Sequence, residues 1–376
     1  MEETAFAGQA NIEPYLRYVV QRGGSDLFLT VGAPPCVKIQ GVMQPMHGPA
    51  LTPISVKALA YSIMRPSQIL DFERTLECDL ATVVEGLGRF RFNIYMQRGD
   101  VALVARYISA EIPTLDLLLL PPILKDLALL KRGLVLIVGA AGSGKSTTLA
   151  AMIDHRNSHV SGHILTVEDP IEFVHHHKQS LVDQREVGLD TQSFEEALRH
   201  AMREAPDVIM IGEIRDRVTM QQAITYAETG HLCISTLHAN NANQALDRVL
   251  NLFPDEARHQ ALVDMSLNLK GVVAQRLIAG SNGKLVPAVE VMLQSPYMSE
   301  LILKGDIDGL KHAMARSNEL GMQTFDQALY ALYAAKRITR EQAVENADSK
   351  TDLSLHIRLT AGATPNSSGV EMKLMK

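Results

Sequence analysis

Apolar positions along the chain follow two regimes. From Asn11 to about Ile108 the spacing is mixed. Ile12, Tyr15, Leu16, Val19 and Val20 recur at helical intervals. DLFLT and CVKIQ, on either side of the turn VGAPP, have strand character. Two helical stretches follow, and then RFRFNIYMQ (89–97). There Phe90, Phe92, Ile94 and Met96 alternate with Arg89, Arg91, Asn93, Tyr95 and Gln97. A strand puts these two sets on opposite faces. VALVARYI (101–108) is the expected hairpin partner. The pattern predicts a small α+β domain over residues 1–108.

SAEIPTLDLLLLPP (109–122) is a plausible hinge. Beyond it strands and helices alternate, as in a mainly parallel α/β sheet. The predicted strands are LVLIV (134–138), HILTV (163–167), DVIMI (207–211) and LCIST (232–236). VAQRLI and LVPAVEVML, around the turn SNGK, predict a hairpin. Helices dominate after Tyr297, and Thr339 with Gln342 fits a capping box. The second domain is expected over 123–359. Residues 360–376 are small and polar and predict a mobile tail.

Composition narrows the classes. A chain of 376 residues accommodates two domains, and 46% hydrophobic residues support real cores. The net charge of −6 gives no electrostatic case for nucleic acid. No apolar run approaches the roughly 18 residues of a membrane span. LDLLLLPPIL (115–124) is short and broken by Pro121 and Pro122. MEETAFAGQA at the start is acidic and lacks a basic-then-apolar leader. Cys36, Cys78 and Cys233 form no CxxC pair, which suits a reducing cytoplasm and argues against a zinc ribbon.

GAAGSGKST, Gly139 to Thr147, matches G-x-x-x-x-G-K-[ST] between a buried strand and a helix, the context that makes this motif credible. Gly139, Gly142 and Gly144 let backbone N–H groups turn inward around phosphate oxygens, and the helix N-terminus adds positive potential. Lys145 is expected to reach the β- and γ-phosphates of ATP, and Ser146 to ligate Mg²⁺. Ser143 and Thr147 complete the expected nucleotide-binding set.

DVIMIGEIRD (207–216) ends a buried strand where many phosphate-loop ATPases place an Asp near Mg²⁺. Here Gly212 takes that place and Glu213 follows. TVEDPIEF (166–173) ends another apolar strand with Glu168 and Asp169. In a parallel sheet, carboxyl ends of neighbouring strands converge on one crevice. Glu168 can therefore supply the missing carboxylate, leaving Glu213 to orient or deprotonate the attacking water. The alternative is that Glu168 and Asp169 merely cap a turn before Pro170.

ETGHLCISTLHANNANQALDRV (228–249) brackets a short strand with His231 and His238. The pair could sense a γ-phosphate or link subunits, with no third metal ligand evident. The run His175, His176, His177 reads as a solvated loop. Arg91, Arg98 and Arg106 are either surface charges or arginine fingers reaching a neighbour's phosphate.

These motifs together resemble the secretion ATPases of the type II and type IV pilus superfamily, in the PilT/PilU twitching-motility branch. GAAGSGKST resembles its first motif, ILTVEDPIEF its Asp box and DVIMIGEIRD its atypical Walker B, in which Gly-Glu is normal. TGHLCISTLHANNA resembles its His box. SDLFLTVGAPP and RFRFN resemble its small N-terminal domain, and GMQTFDQALY its C-terminal helices. The resemblance implies a PAS-like domain followed by a RecA-like core in a cytoplasmic ring hexamer at the inner-membrane base of the pilus machine. It implies a catalytic Glu213, active-site roles for Glu168, His231 and His238, and arginine fingers among Arg91, Arg98 and Arg106. It also implies ATP-driven pilus disassembly through an inner-membrane platform protein. One departure stands out. The PilT C-terminal motif, close to A-I-R-N-L-I-R-E, is replaced by YMSELILK (297–304). That favours an accessory working beside a PilT-like motor. The competing readings are an extension or secretion ATPase, a nucleic-acid translocase and a non-hydrolysing ring component.

Overall fold

The structure, a computed structural model, describes residues 11–108 and 111–361. Contacts divide it into two compact units. The first takes the described residues up to Ile112 together with Glu168–His176 and Gln184–Ser193. The second takes Pro113–Val167, His177–Asp183 and the described residues from Phe194 onward.

The first unit contains one antiparallel sheet. Its strands are β1 (Gly24–Leu29), β2 (Cys36–Ile39), β3 (Val42–Pro45), β4 (Glu77–Val84), β5 (Gly88–Gln97) and β6 (Asp100–Ile108), in the order β3-β2-β1-β6-β5-β4. The alternation read from the sequence sets β5. Phe90, Phe92 and Ile94 are fully buried, while Arg89, Arg91, Asn93 and Tyr95 face the other way. The helix Glu13–Gln21 adds Tyr15, Leu16 and Val19 to the same core, and the helices Pro53–Tyr61 and Pro66–Thr75 add Val56, Leu59 and Phe72. β3 and β4 were not anticipated. β3 is an exposed edge strand ending in Pro45, and β4 has no clean burial alternation, so neither carries a periodic signal.

The larger sheet contains β7 (Gly133–Val138), β8 (Gly162–Glu168), β9 (Ser180–Glu186), β10 (Val208–Ile211), β11 (Leu232–Leu237), β12 (Leu269–Ala279) and β13 (Leu285–Leu293). The order is β13-β12-β7-β11-β10-β8-β9. Neighbours from β12 through β8 run parallel, and β13 returns antiparallel to β12 as the expected hairpin. Leu134 to Val138 are fully buried, as unbroken apolar strands in a doubly covered parallel sheet must be. Helices close the chain, among them Pro296–Lys304, Phe325–Ala334, Arg340–Glu345 and Lys350–Ala361. Thr339 and Gln342 form the anticipated capping box. Of the expected hinge, residues 109–110 lie outside the described residues, and of the expected tail so do residues 362–376.

Candidate nucleotide site

β7 delivers the chain to Gly139, and the helix Lys145–His159 carries it away. The loop between them needs its glycines, as Gly139 and Gly144 show. A Cβ on Gly139 would lie 2.3 Å from Ser143 Oγ and 2.6 Å from the Gln275 carbonyl oxygen. Gly144, the helix N-cap, has φ +86°, a left-handed conformation that costs an L side chain energy. Lys145 Nζ donates to the carbonyls of Gly139 and Ala140, both at 2.9 Å. Ser146 and Thr147, on the first helical turn, are half-buried. Ser143 Oγ is buried with no hydrogen-bond partner. Such a hydroxyl, beside inward-turned backbone at a helix N-terminus, is the chemistry of a phosphate cradle.

β10 ends at Ile211 and the chain turns at Gly212, whose N–H donates to the Val167 carbonyl at 2.8 Å and whose carbonyl accepts from Thr236 Oγ1 at 2.6 Å. This pins Glu213. One of its carboxylate oxygens lies 2.9 Å from His238 Nε2, and the other accepts from Arg215 Nε at 2.8 Å. Its side chain is 20% exposed. Asp216 then caps the helix Arg217–Glu228 by accepting from Thr219 N at 2.8 Å. His238 in turn shares a cleft of about 420 Å³ with Gly139, Ala140 and Asn240. Beside it a second cleft of about 590 Å³ is lined by Ala140–Ser143, Asn240, Gln275 and Arg276. The volume of the cleft beside His238 suits a small-molecule site.

Within the chain the structure does not bring His231 and His238 together. His231 precedes β11 and His238 follows it, so the strand's length separates them by roughly 20 Å. The His231 carbonyl accepts from Gly133 N at 3.0 Å at the start of β7, the far end from the phosphate loop, and its Nδ1 lies 3.1 Å from Thr229 Oγ1. Of the histidine run, His175 is buried at 6% exposure, with its backbone N–H donating to Gln184 Oε1 at 2.7 Å, while His176 and His177 are exposed.

Glu168 is the last residue of β8, and its buried side chain accepts from Gln184 Nε2 at 3.0 Å. In the first unit Arg91 and Arg106 face each other across β5 and β6. Arg106 Nε donates to Asp26 Oδ1 at 2.7 Å. Arg98, exposed in the β5–β6 turn, has φ +52°.

The sequence reading missed Arg215, Thr148 and Gln275. Arg215 stands two residues after Glu213 in the same quoted stretch, so its signal was present. Thr148 Oγ1 donates to Gln275 Oε1 at 2.6 Å, a contact between residues 127 apart with no local signature.

A parallel sheet, a glycine loop opening a helix and a pinned glutamate beside it define a phosphate-loop nucleotide-binding core. Residues 121–350 match the family described as Type II/IV secretion system protein, and the chain belongs to it. It is 53% identical to the type IV pilus ATPase PilU of Pseudomonas aeruginosa, over 92% of this chain and 91% of that one. It is 42% identical to the type IV pilus retraction ATPase PilT of the same organism, over 90% and 98% of the two chains. A crystal structure of the pilus retraction motor PilT with bound ADP superposes with a TM-score of 0.86, at 41% identity, covering 92% of this chain and 99% of that one.

Proposed function

We propose that this protein is an ATP-hydrolysing motor of the type IV pilus machine, acting as an accessory to a PilT-like retraction ATPase in twitching motility. The observation that carries the reading is one cleft lined by the phosphate loop and by His238, which holds Glu213 at 2.9 Å. Glu213 is the base that takes a proton from the attacking water. The backbone of Gly139 to Gly144 cradles the phosphates, and Lys145 exchanges its loop carbonyls for β- and γ-phosphate oxygens. Ser146 is the residue that would hold Mg²⁺, which when bound neutralises phosphate charge. His231, at the opposite end of β11 from His238, is a candidate for linking subunits. Arg91, Arg98 and Arg106 are candidates for reaching a neighbour's nucleotide in a ring hexamer.

The accessory role is supported by the likeness to PilU and by YMSELILK in place of the PilT-type motif. Its partners are then a PilT-like ATPase and the inner-membrane platform protein, and its place is the cytoplasmic base of the machine. Among the described residues no helix is long and apolar enough to cross a membrane. Deleting the gene tests the reading: twitching or retraction force should fall while pili still reach the surface. Loss of surface pili would support an extension ATPase instead. ATPase activity strongly stimulated by DNA at physiological salt would support a translocase.

A further inference from the structure

Gln275 and Arg276 are consecutive on β12 and so face opposite sides of the strand. Gln275 turns to the phosphate loop, where its amide accepts from Thr148 and its carbonyl crowds Gly139. Arg276 turns to the C-terminal helices. Its guanidinium lies 3.8 Å from the centre of the Phe325 ring. Nη1 donates to the Asn346 carbonyl at 2.8 Å, and Nη2 to Asp348 Oδ1 at 2.8 Å and the Asn240 carbonyl at 3.3 Å.

Those partners belong to two different parts of the molecule. Phe325 opens the helix Phe325–Ala334, and Asn346 and Asp348 lie between the helices Arg340–Glu345 and Lys350–Ala361. Asn240 lies two residues beyond His238, in the loop that presents it to Glu213. A second polar side chain on the same hairpin joins the same two parts. The Glu290 carboxylate accepts from Ala242 N at 2.8 Å, just after that loop, and from Phe325 N at 3.4 Å. The C-terminal helices and the His238 loop thus share anchors on the β12–β13 hairpin.

We propose that Arg276 is a positioning residue for ATP hydrolysis, through which the C-terminal helices set the loop that carries His238. The proposal rests on the ATPase reading above. Arg276 suits the task because its planar fork stacks on a ring and bonds in several directions at once, which a lysine cannot reproduce. Gln275 anchors the phosphate loop independently, so loss of Arg276 leaves phosphate binding in place and misplaces the loop beside Glu213. A displacement of the C-terminal helices, by a partner or a neighbouring subunit, would then change turnover rather than nucleotide affinity.

The test measures kcat, affinity for a fluorescent ADP analogue and hydrogen exchange over residues 238–241 in wild type, Arg276→Ala, Arg276→Lys and Asp348→Asn. In Arg276→Ala, kcat should fall about 10- to 100-fold, affinity should stay within about threefold, and exchange at 238–241 should rise. Arg276→Lys should recover part of kcat, and Asp348→Asn should move the same way by less. An Arg276→Ala kcat within about twofold of wild type overturns the proposal. So does a joint loss of kcat and affinity with exchange raised evenly across the ATPase core. If Arg276→Ala does not fold, Arg276→Lys decides by the same split. Absence of turnover in wild type would count against the ATPase reading, and exchange at 238–241 would still decide the coupling.

Discussion

His238 Nε2 lies 2.9 Å from one carboxylate oxygen of Glu213 while Arg215 Nε holds the other at 2.8 Å. The carboxylate is therefore fixed by both oxygens. Each oxygen keeps a second lone pair, so fixing it does not prevent it from accepting a proton from water. The grip sets direction, and a neutral donor at 238 should preserve part of it.

Glu213→Gln should retain nucleotide binding and lose about 10²- to 10⁴-fold in turnover, because an amide cannot take the proton. His238→Gln, which keeps an N–H donor, should lose less than His238→Ala. Steady-state hydrolysis and ADP binding on purified proteins decide this. Wild-type turnover in Glu213→Gln would remove Glu213 from its role.

The arginines should separate in a mixing experiment. Inactive Arg98→Ala subunits combined with inactive Glu213→Gln subunits should regain some activity, since one kind of interface then has both groups intact. Arg91 is the next candidate. Arg106 is paired with Asp26, whose side chain is only 5% exposed. Removing Arg106 leaves the buried Asp26 carboxylate with its bond from Ser25 Oγ but without its counter-charge, a change that costs about 3–5 kcal/mol when a pair is fully buried and much less here, where the arginine is 65% exposed. Arg106→Ala should therefore lower thermal stability, whereas Arg98→Ala should not. Mixed rings that form yet never recover activity would end the assignment of any of the three to a neighbour's site.

The phosphate loop gives a steric prediction. In Gly139→Ala the new methyl meets a backbone carbonyl of Gln275 at 2.6 Å as well as Ser143 Oγ. A carbonyl on a paired strand cannot swing aside, so the loop must distort and nucleotide binding should fall sharply. Thr148→Val leaves Gln275 Oε1 buried without its donor and should cost about 1–3 kcal/mol in urea unfolding. Unchanged nucleotide affinity in Gly139→Ala would mean that the loop closes differently.

What was legible in the sequence is what chemistry imposes locally. A phosphate loop must place its glycines, Lys145 and Ser146 within a few residues of a strand end, and Glu213 must follow its own strand. β5 was legible because one face is buried and one is not. The pairing of Glu213 with His238 was not, because it depends on β10 and β11 being neighbours. Gln275 and Arg276 sit in an apolar hairpin where a polar residue gives no hint of its partner. The two histidines of one strand are not neighbours for a simple geometric reason: residues that bracket a strand lie at its opposite ends. β9, with only Ser180, Val182 and Glu186 fully buried, has too polar a face to stand out.

Glu290 gives a pH prediction. It is 2% exposed on β13. Burial pushes its carboxyl up to about 7 and Asp348 adds to the rise, while the N–H groups of Ala242 and Phe325 and the charge of Lys311 act against it. In the unfolded chain the group releases its proton near 4.5. Between those values the native state holds a proton that the unfolded state has lost, so stability falls as pH rises through this window and levels off above it. The full span is on the order of 3 kcal/mol. Asp348 acts in a lower range and with the opposite sign. Burial raises its carboxyl, but the bonds from Lys311 and Arg276 outweigh that and hold it below the usual value, so its contribution is lost only as pH falls into the acid range. Glu290→Gln keeps the shape and cannot ionise. Relative to wild type it should gain stability steadily from pH 5 to pH 7 and no further by pH 8. Urea unfolding of both proteins across that range is the measurement. Parallel stability curves would show that Glu290 does not titrate between the ordinary carboxyl range and neutrality, and that its two backbone donors hold it ionised throughout.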